Sequence, residues 1–242
     1  MAQKKKGRKS RKKRKFTAAR RKQIALALGI ISILMAAGAG ALIHQSRENT
    51  RSAKNGAEPD TVNVKVSEEV VEKYMPDIET ALLTPNPYSR PEEAIDKVTG
   101  IVIHYVGNPG SSAMANRDYF EGLKGGANET YASSHFIVGL EGEIVQCIPT
   151  SEIAYASNDR NHDTIAIEVC HPDADGEFSD VTYDTLVHLT GWLCLYLRVQ
   201  PAEIIRHYDV SGKKCPRYYV EHEEAWEAFK LDVTQWVAEH QS

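Results

Sequence analysis

The chain has 242 residues, 26% of them charged and 42% hydrophobic, with a formal net charge of −4, enough for one medium domain with appendages or two small ones. The near-neutral total conceals two opposed regions: residues 1–22 hold 13 of the 29 Lys and Arg and no acid, and the remainder sets 16 basic residues against 33 acidic ones, a balance of −17. No folded module accompanies the basic run, which excludes a nucleic-acid-binding domain there and leaves a topogenic tail in contact with anionic lipid headgroups.

Directly after the basic tail (residues 1–23) runs Ile24 to Ile43, twenty apolar and small residues without a charge. At about 1.5 Å per residue a helix of this length spans about 30 Å, the hydrocarbon thickness of a bilayer. Arg20, Arg21 and Lys22 on its near flank put the N-terminus in the cytoplasm and everything beyond His44 outside. One transmembrane helix over 24–43 is therefore expected. The competing reading is a signal peptide cleaved near Ala39 or Ala41, although roughly 40 residues exceeds the usual ~15–30.

Residues 44–64 are polar, and Pro85, Pro87 and Pro91 interrupt the chain further on, so 44–98 reads as a stalk. Within it Ser67 caps a short helix to about Tyr74, closed by Pro76. A single domain follows over 99–242. GIVIHYV, from Gly100 to Val106, has the continuous apolar character of a strand covered on both faces. Ser112 caps a helix to about Glu121. Ser134–Val138 and Glu143–Pro149 make a hairpin around Gly139–Gly142. TIAIEVC, from Thr164 to Cys170, is a second buried strand. Thr182–Leu197 sets Leu186, Leu189, Leu193 and Leu197 at helical spacing. Ile204–His207 is a short strand, and a last helix runs from about Val220 to Ala238. The fold class is α/β, a mixed central sheet flanked by helices and preceded by one membrane span. The four cysteines, Cys147, Cys170, Cys194 and Cys215, include no Cys-x-x-Cys pair, and export permits disulfides without requiring them.

Three residues at strand ends carry the chemistry. His104 follows Ile101–Ile103, His207 follows Ile204–Arg206, and Cys215 comes eight residues after His207 across a loop with Gly212. Two imidazoles and a thiolate suit Zn²⁺ and leave its fourth position free for water. In TIAIEVC, Ile165, Ile167 and Val169 share one face and Thr164, Ala166, Glu168 and Cys170 the other. A carboxylate on a buried strand has a raised pKa, which fits a general base; the alternative is a structural ion pair with Arg206 or Lys213. Lys213, two residues before Cys215, faces the same way and is placed to stabilise an oxyanion, while Lys214 points to solvent. His135 either lines a groove or is structural, and His171 is a loop residue and a spare ligand. Asp209 either orients His207 or turns its loop.

These residues sit in longer motifs. GIVIHYVGNPG, YASSHFIVGLEGEIVQCIP, NHDTIAIEVCHP and RHYDVSGKKCPRYY, in this order, resemble the type 2 N-acetylmuramoyl-L-alanine amidases, the family that includes phage endolysins and is related to peptidoglycan recognition proteins. The resemblance runs from about Gly100 to Val237. It implies an amidase-like mixed sheet with zinc in a groove, held by His104, His207 and Cys215. It also implies Glu168 as general base, Lys213 as the residue stabilising the intermediate, and hydrolysis of the bond between N-acetylmuramic acid and L-alanine in peptidoglycan. Two departures stand out. Ser134 occupies a position where some relatives carry a catalytic Tyr, and Ala154-Tyr155-Ala156-Ser157 replaces a Trp-His pair, leaving Tyr155 and His135 as substrate-binding candidates. The expected partners are peptidoglycan and, through the anchor, membrane lipid, but no nucleic acid; oligomeric state stays open. The rival functions are a non-catalytic peptidoglycan-binding envelope protein, against which Cys215 argues, and a purely structural tether.

Overall fold

The computed structural model describes residues 66–126 and 129–242. The basic tail, the expected span Ile24–Ile43 and the first part of the expected stalk lie outside the described residues. Among the described residues no helix is long and apolar enough to cross a membrane.

Among the described residues six strands form one sheet: β1 (Glu79–Thr80), β2 (Gly100–Ile103), β3 (Phe136–Val138), β4 (Ile144–Gln146), β5 (Thr164–Val169) and β6 (Ile204–Arg206), in the order β1-β4-β3-β5-β2-β6. Only β3 and β4 pair antiparallel, closed by Gly139 N–H donating to Glu143 O at 2.7 Å; every other pairing is parallel, so the sheet is mixed as expected. Ile101, Ile103, Ile165, Ile167 and Val169 face a core built with two long helices, α3 (Asp180–Leu197) and α6 (Glu223–His240), through Leu186, Leu189, Leu193, Phe229 and Val233. Gly191 makes the close approach of these helices possible, since any Cβ there would collide with the Trp236 indole. On the opposite face Ile137, Val145, Cys147 and Cys170 pack with Phe120 of α2 (Ala113–Gly122) and with Leu83. The four cysteines are free and buried.

Local signals set most boundaries. Ser67 accepts from Val70 N at 3.3 Å and starts α1 (Glu68–Lys73); Ser112 does the same for α2, from Ala115 N at 3.2 Å. Ser179 caps α3 by accepting from Thr182 N, so that helix begins two residues before the apolar periodicity does. The last helix is broken. Short α5 (Arg217–Glu221) ends at His222, whose φ of −130° and ψ of 78° are not helical and whose ring stacks on Tyr218 at 4.2 Å, and α6 restarts from there.

The largest correction concerns residues 66–98, expected as stalk. They are part of the folded unit. Trp192 Nε1–H donates to Val71 O at 2.9 Å, and β1 extends the sheet edge beside β4. Leu83 N–H donates to Cys147 O at 2.9 Å, and its side chain is 1% exposed. Arg90 makes two bonds of 2.8 Å to the Glu152 carboxylate and a third to Leu83 O. The prolines here stop helices and strands without preventing burial, because an extended strap still offers alternate side chains and N–H groups to a neighbouring edge.

Leu83→Ala distinguishes strap from stalk. Urea denaturation is expected to show a loss of about 3 kcal/mol, typical of emptying a buried leucine site. A loss near zero would mean that the segment is not packed.

Candidate active site

Strand register assembles the site. Ile103 pairs with Ile167 on β5 and with Arg206 on β6. One residue further on, at the C-terminal ends of three adjacent parallel strands, come Glu168, His104 and His207. His104 N–H donates to Ile167 O at 2.9 Å and so continues the β2–β5 ladder. The alternation read from TIAIEVC holds: the isoleucines face α3 and α6, and Glu168 faces the opposite side with His104.

His207 is the first residue of a one-turn helix, α4 (His207–Ser211). The Asp209 carboxylate accepts from Arg206 N at 2.8 Å, which caps this turn, and Gly212 at φ +75° ends it in the left-handed region that glycine tolerates. Tyr208 N–H donates to Cys215 O at 2.9 Å and folds the loop back. Cys215 thereby reaches the two histidines: its Sγ lies 3.8 Å from His104 Nδ1, and the imidazole centroids are 4.7 Å apart.

The donor atoms of His104, His207 and Cys215 lie within 4.8 Å of one another, and all three residues are buried. His207 Nδ1 is buried with no hydrogen-bond partner, an uncompensated lone pair or proton that costs folding energy unless something binds it. Burial pushes the His104 and His207 pKa values down, with neighbouring cationic groups adding to the effect, so both rings are held neutral, the form in which an imidazole can ligate a metal. Burial and the Glu168 charge push the Cys215 thiol up to about 12. A divalent cation would reverse that, since it deprotonates a coordinating thiol. Two neutral imidazoles, one of them with its Nδ1 left without a partner, and a thiol, clustered within 4.8 Å, fit zinc.

Glu168 lies beside this cluster, with Oε1 4.0 Å from His104 Nδ1 and a buried, unpartnered Oε2. Burial pushes its carboxyl up to about 7, against a smaller downward pull from the Lys213 ammonium. No ion pair with Arg206 forms, because that guanidinium is held by Asp209 at 2.9 Å and Glu223 at 2.6 Å. Lys213 lines the same cleft as Cys215, and Lys214 turns away to Glu221 at 3.0 Å, as their alternation along the loop required.

The cleft encloses about 340 Å³ and is lined by His104, Glu168, His207, Lys213 and Cys215, with Tyr105, Tyr131 and Tyr155 on its walls. Tyr155 packs edge-on against Tyr131, which is 56% exposed and packs in turn on Tyr88. Tyr131 opens the motif YASSHFIVGLEGEIVQCIP, yet nothing in the sequence marks it as a cleft residue. Ser157 and Asn158 are likewise not marked by the sequence; their side chains meet His104 Nε2 at 3.1 Å and His207 Nε2 at 2.9 Å. Asn158, in the left-handed region at φ +51°, is of a type enriched there, the one local signal available.

For His135 and Asp209 the structure agrees with the second of the two alternatives read from the sequence, a structural role and a turn role. His135 does not line the cleft. It is fully buried, its Nε2–H donates to Glu152 O at 2.8 Å and its Nδ1 accepts from Ala166 N at 3.0 Å, so it ties β5 to the loop around residue 152. Asp209 is a turn-capping residue, and the acceptor beside His207 is Asn158. His171 stays outside the cluster of His104, His207 and Cys215, with both ring nitrogens on the carbonyls of Val106 and Asp173.

Fold and site together define a mixed α/β sheet with a donor-lined cleft at the C-terminal ends of its parallel strands. The family described as N-acetylmuramoyl-L-alanine amidase matches residues 95–218, and the chain belongs to it. It is 32% identical over 160 residues to the N-acetylmuramoyl-L-alanine amidase CwlL of Bacillus licheniformis, over 61% of this chain and 44% of that one. It is 30% identical over 169 residues to the amidase BlyA of Bacillus subtilis, with the same coverage. The chain thus spans less than half the length of these curated relatives. Among solved structures, the catalytic domain of XlyA superposes with a TM-score of 0.55 at 27% identity, covering 65% of this chain and 99% of that one. A mutant endolysin from Bacillus subtilis gives 0.56 at 28%, covering 66% and 99%.

The assignment of His135 to the structure has a pH signature. The folded protein holds it neutral down to about 4, against 6.5 for the free side chain, chiefly through burial. The unfolded chain therefore takes up a proton first as pH falls, so stability present above 6.5 drains away towards 4, by up to about 3 kcal/mol from this group. Urea unfolding followed from pH 7 to 4 is expected to be less pH-dependent in His135→Gln. An unchanged slope together with a raised KM would return His135 to the groove.

Proposed function

We propose that the chain is a zinc-dependent N-acetylmuramoyl-L-alanine amidase that hydrolyses the amide joining the lactyl group of N-acetylmuramic acid to L-alanine in peptidoglycan. One observation carries this reading: a buried carboxylate with a free oxygen stands beside a three-donor metal cluster inside one cleft. Family membership supports it.

Zinc held by His104, His207 and Cys215 would supply Lewis acidity toward a carbonyl oxygen and a water. Glu168, raised to about 7, is matched to take the proton of the attacking water near neutrality and to return it to the departing L-alanine nitrogen. The Lys213 ammonium, on the cleft wall, stabilises the oxyanion that develops on the lactyl oxygen. Tyr155 and the exposed Tyr131 offer aromatic faces to the apolar side of a sugar ring or stem peptide. A catalytically silent wall-binding module is the reading this one displaces; it would have no use for a free carboxylate beside the donors.

The full-length protein is expected to carry about one zinc, lost in His207→Ala. Glu168→Gln is expected to keep the metal and the fold while losing about 10²–10⁴-fold in muropeptide hydrolysis, because an amide cannot take up the proton. Wild-type turnover in Glu168→Gln would make Glu168 structural, and full zinc in His104→Ala, His207→Ala and Cys215→Ser alike would remove the metal assignment.

We also propose that Ile24–Ile43 anchors the protein in the cell membrane as a single uncleaved span, with residues 1–23 cytoplasmic and the amidase domain outside. Thirteen basic residues resist translocation, and twenty apolar residues are just long enough to span. N-terminal sequencing of the membrane fraction is expected to begin at or next to Met1. Recovery from the medium of a chain beginning near Gly40 or Leu42 would establish a cleaved signal peptide.

A further inference from the structure

We propose that Ser157 and Asn158 are positioning residues that set the tautomer of His104 and His207 and thereby the metal affinity of the site. A neutral imidazole carries one ring proton, and its location decides which nitrogen can ligate. His207 Nε2 lies 2.9 Å from Asn158 Oδ1, an oxygen that can only accept, so the proton sits on Nε2 and Nδ1 keeps its lone pair. Nδ1 is the atom left buried without a partner. At His104 the partner is a hydroxyl, which can donate or accept and, by accepting from Nε2–H, completes the same tautomer. His104 Nε2 lies 3.1 Å from Ser157 Oγ, and its Nδ1 faces Cys215 Sγ at 3.8 Å. Two consecutive residues of one turn thus serve rings that arrive from different strands.

The turn is itself held in place. Asn161 Oδ1 accepts from Ala156 N at 3.0 Å and from Ser157 N at 2.6 Å, and Ser157 is 1% exposed. Asn158 adopts φ +51°, a conformation that costs most residues energy and that Asn and Asp bear more easily. The strained residue is the one whose side chain reaches His207. If the amide were reversed, its N–H₂ would face Nε2, the ring proton would move to Nδ1, and a proton would point into the donor cluster. Partners of this kind on metal-bound histidines typically change metal affinity by about 10–100-fold.

The inference concerns metal affinity and stands or falls apart from the amidase reaction. Zinc affinity of the full-length chain is measured by competition with a chromophoric chelator. Ser157→Ala and Asn158→Gly are each expected to weaken binding about 10–100-fold. Glycine removes the acceptor while relieving the backbone, so its loss cannot come from φ strain. Asn158→Asp keeps an acceptor that tolerates the same φ and is expected to bind zinc within a few-fold of the parent. Long-range ¹H–¹⁵N spectra of the metal-free parent are expected to show both rings protonated at Nε2, a readout that needs no variant to fold. Parental zinc affinity in both Ser157→Ala and Asn158→Gly, an equal loss in Asn158→Asp, or a ring protonated at Nδ1 would each overturn the proposal. An inert protein with the expected affinities would leave it standing and remove the amidase reading alone.

Discussion

Three parallel strands, β6, β2 and β5, are paired so that Arg206, Ile103 and Ile167 lie side by side, and the next residue on each strand is His207, His104 and Glu168. A slip of one residue in either pairing would send a functional side chain to the opposite face, into the core of Ile101, Ile165 and Leu189. The register is protected by that core: the isoleucines of β2 and β5 are essentially inaccessible and pack on α3 and α6. Burial on one face therefore aligns chemistry on the other. The strand ends leave these groups at the rim of the sheet, where a cleft can open in front of them.

The site is stable only as a set. In a poorly polarisable pocket, each group moves away from its charged form: the imidazoles are held neutral, the Cys215 thiol protonated and the Glu168 carboxyl raised towards neutrality. Desolvation is the first cause in each case. The surroundings compensate only partly, with Ser157 and Asn158 on the two Nε2 atoms and Lys213 across from Glu168, and they leave His207 Nδ1 and Glu168 Oε2 without partners. Unpaired buried polar atoms are rare in folded proteins and concentrate where a ligand or a reaction satisfies them.

The strap over residues 66–98 widens what counts as the domain. Its apolar residues are about as frequent as in the rest of the chain but show no sustained helical or strand period, so no pattern within the segment points to burial. The pattern becomes meaningful only against the rest of the molecule. Val71 and Ile78 meet the α3–α6 side, Leu83 the other face of the sheet, and the Arg90–Glu152 pair locks the strap to the loop that also holds His135. Both faces of the sheet are thus covered by one continuous segment that leads into β2.

The amino-acid sequence by itself determined strands β2 to β6, the helices capped by Ser67 and Ser112, the two faces of TIAIEVC and the trio His104, His207 and Cys215 that clusters in the fold, because each is written in local periodicity, in capping residues or in a motif of a few residues. It also pointed to Glu168, since a lone carboxylate in an apolar run has few structural uses. Left open were the groups whose roles depend on residues far away in the chain. His135 and Asp209 were legible as polar residues near the site, yet what they bond to, Glu152 O with Ala166 N and Arg206, follows from how loops and strands meet. Ser157 and Asn158 carry no local signal strong enough to mark them; their role arises when a turn some fifty residues from either histidine folds back beneath both rings. Hydrogen bonding at 3 Å is a property of positions in space, and only the packed sheet brings those positions together.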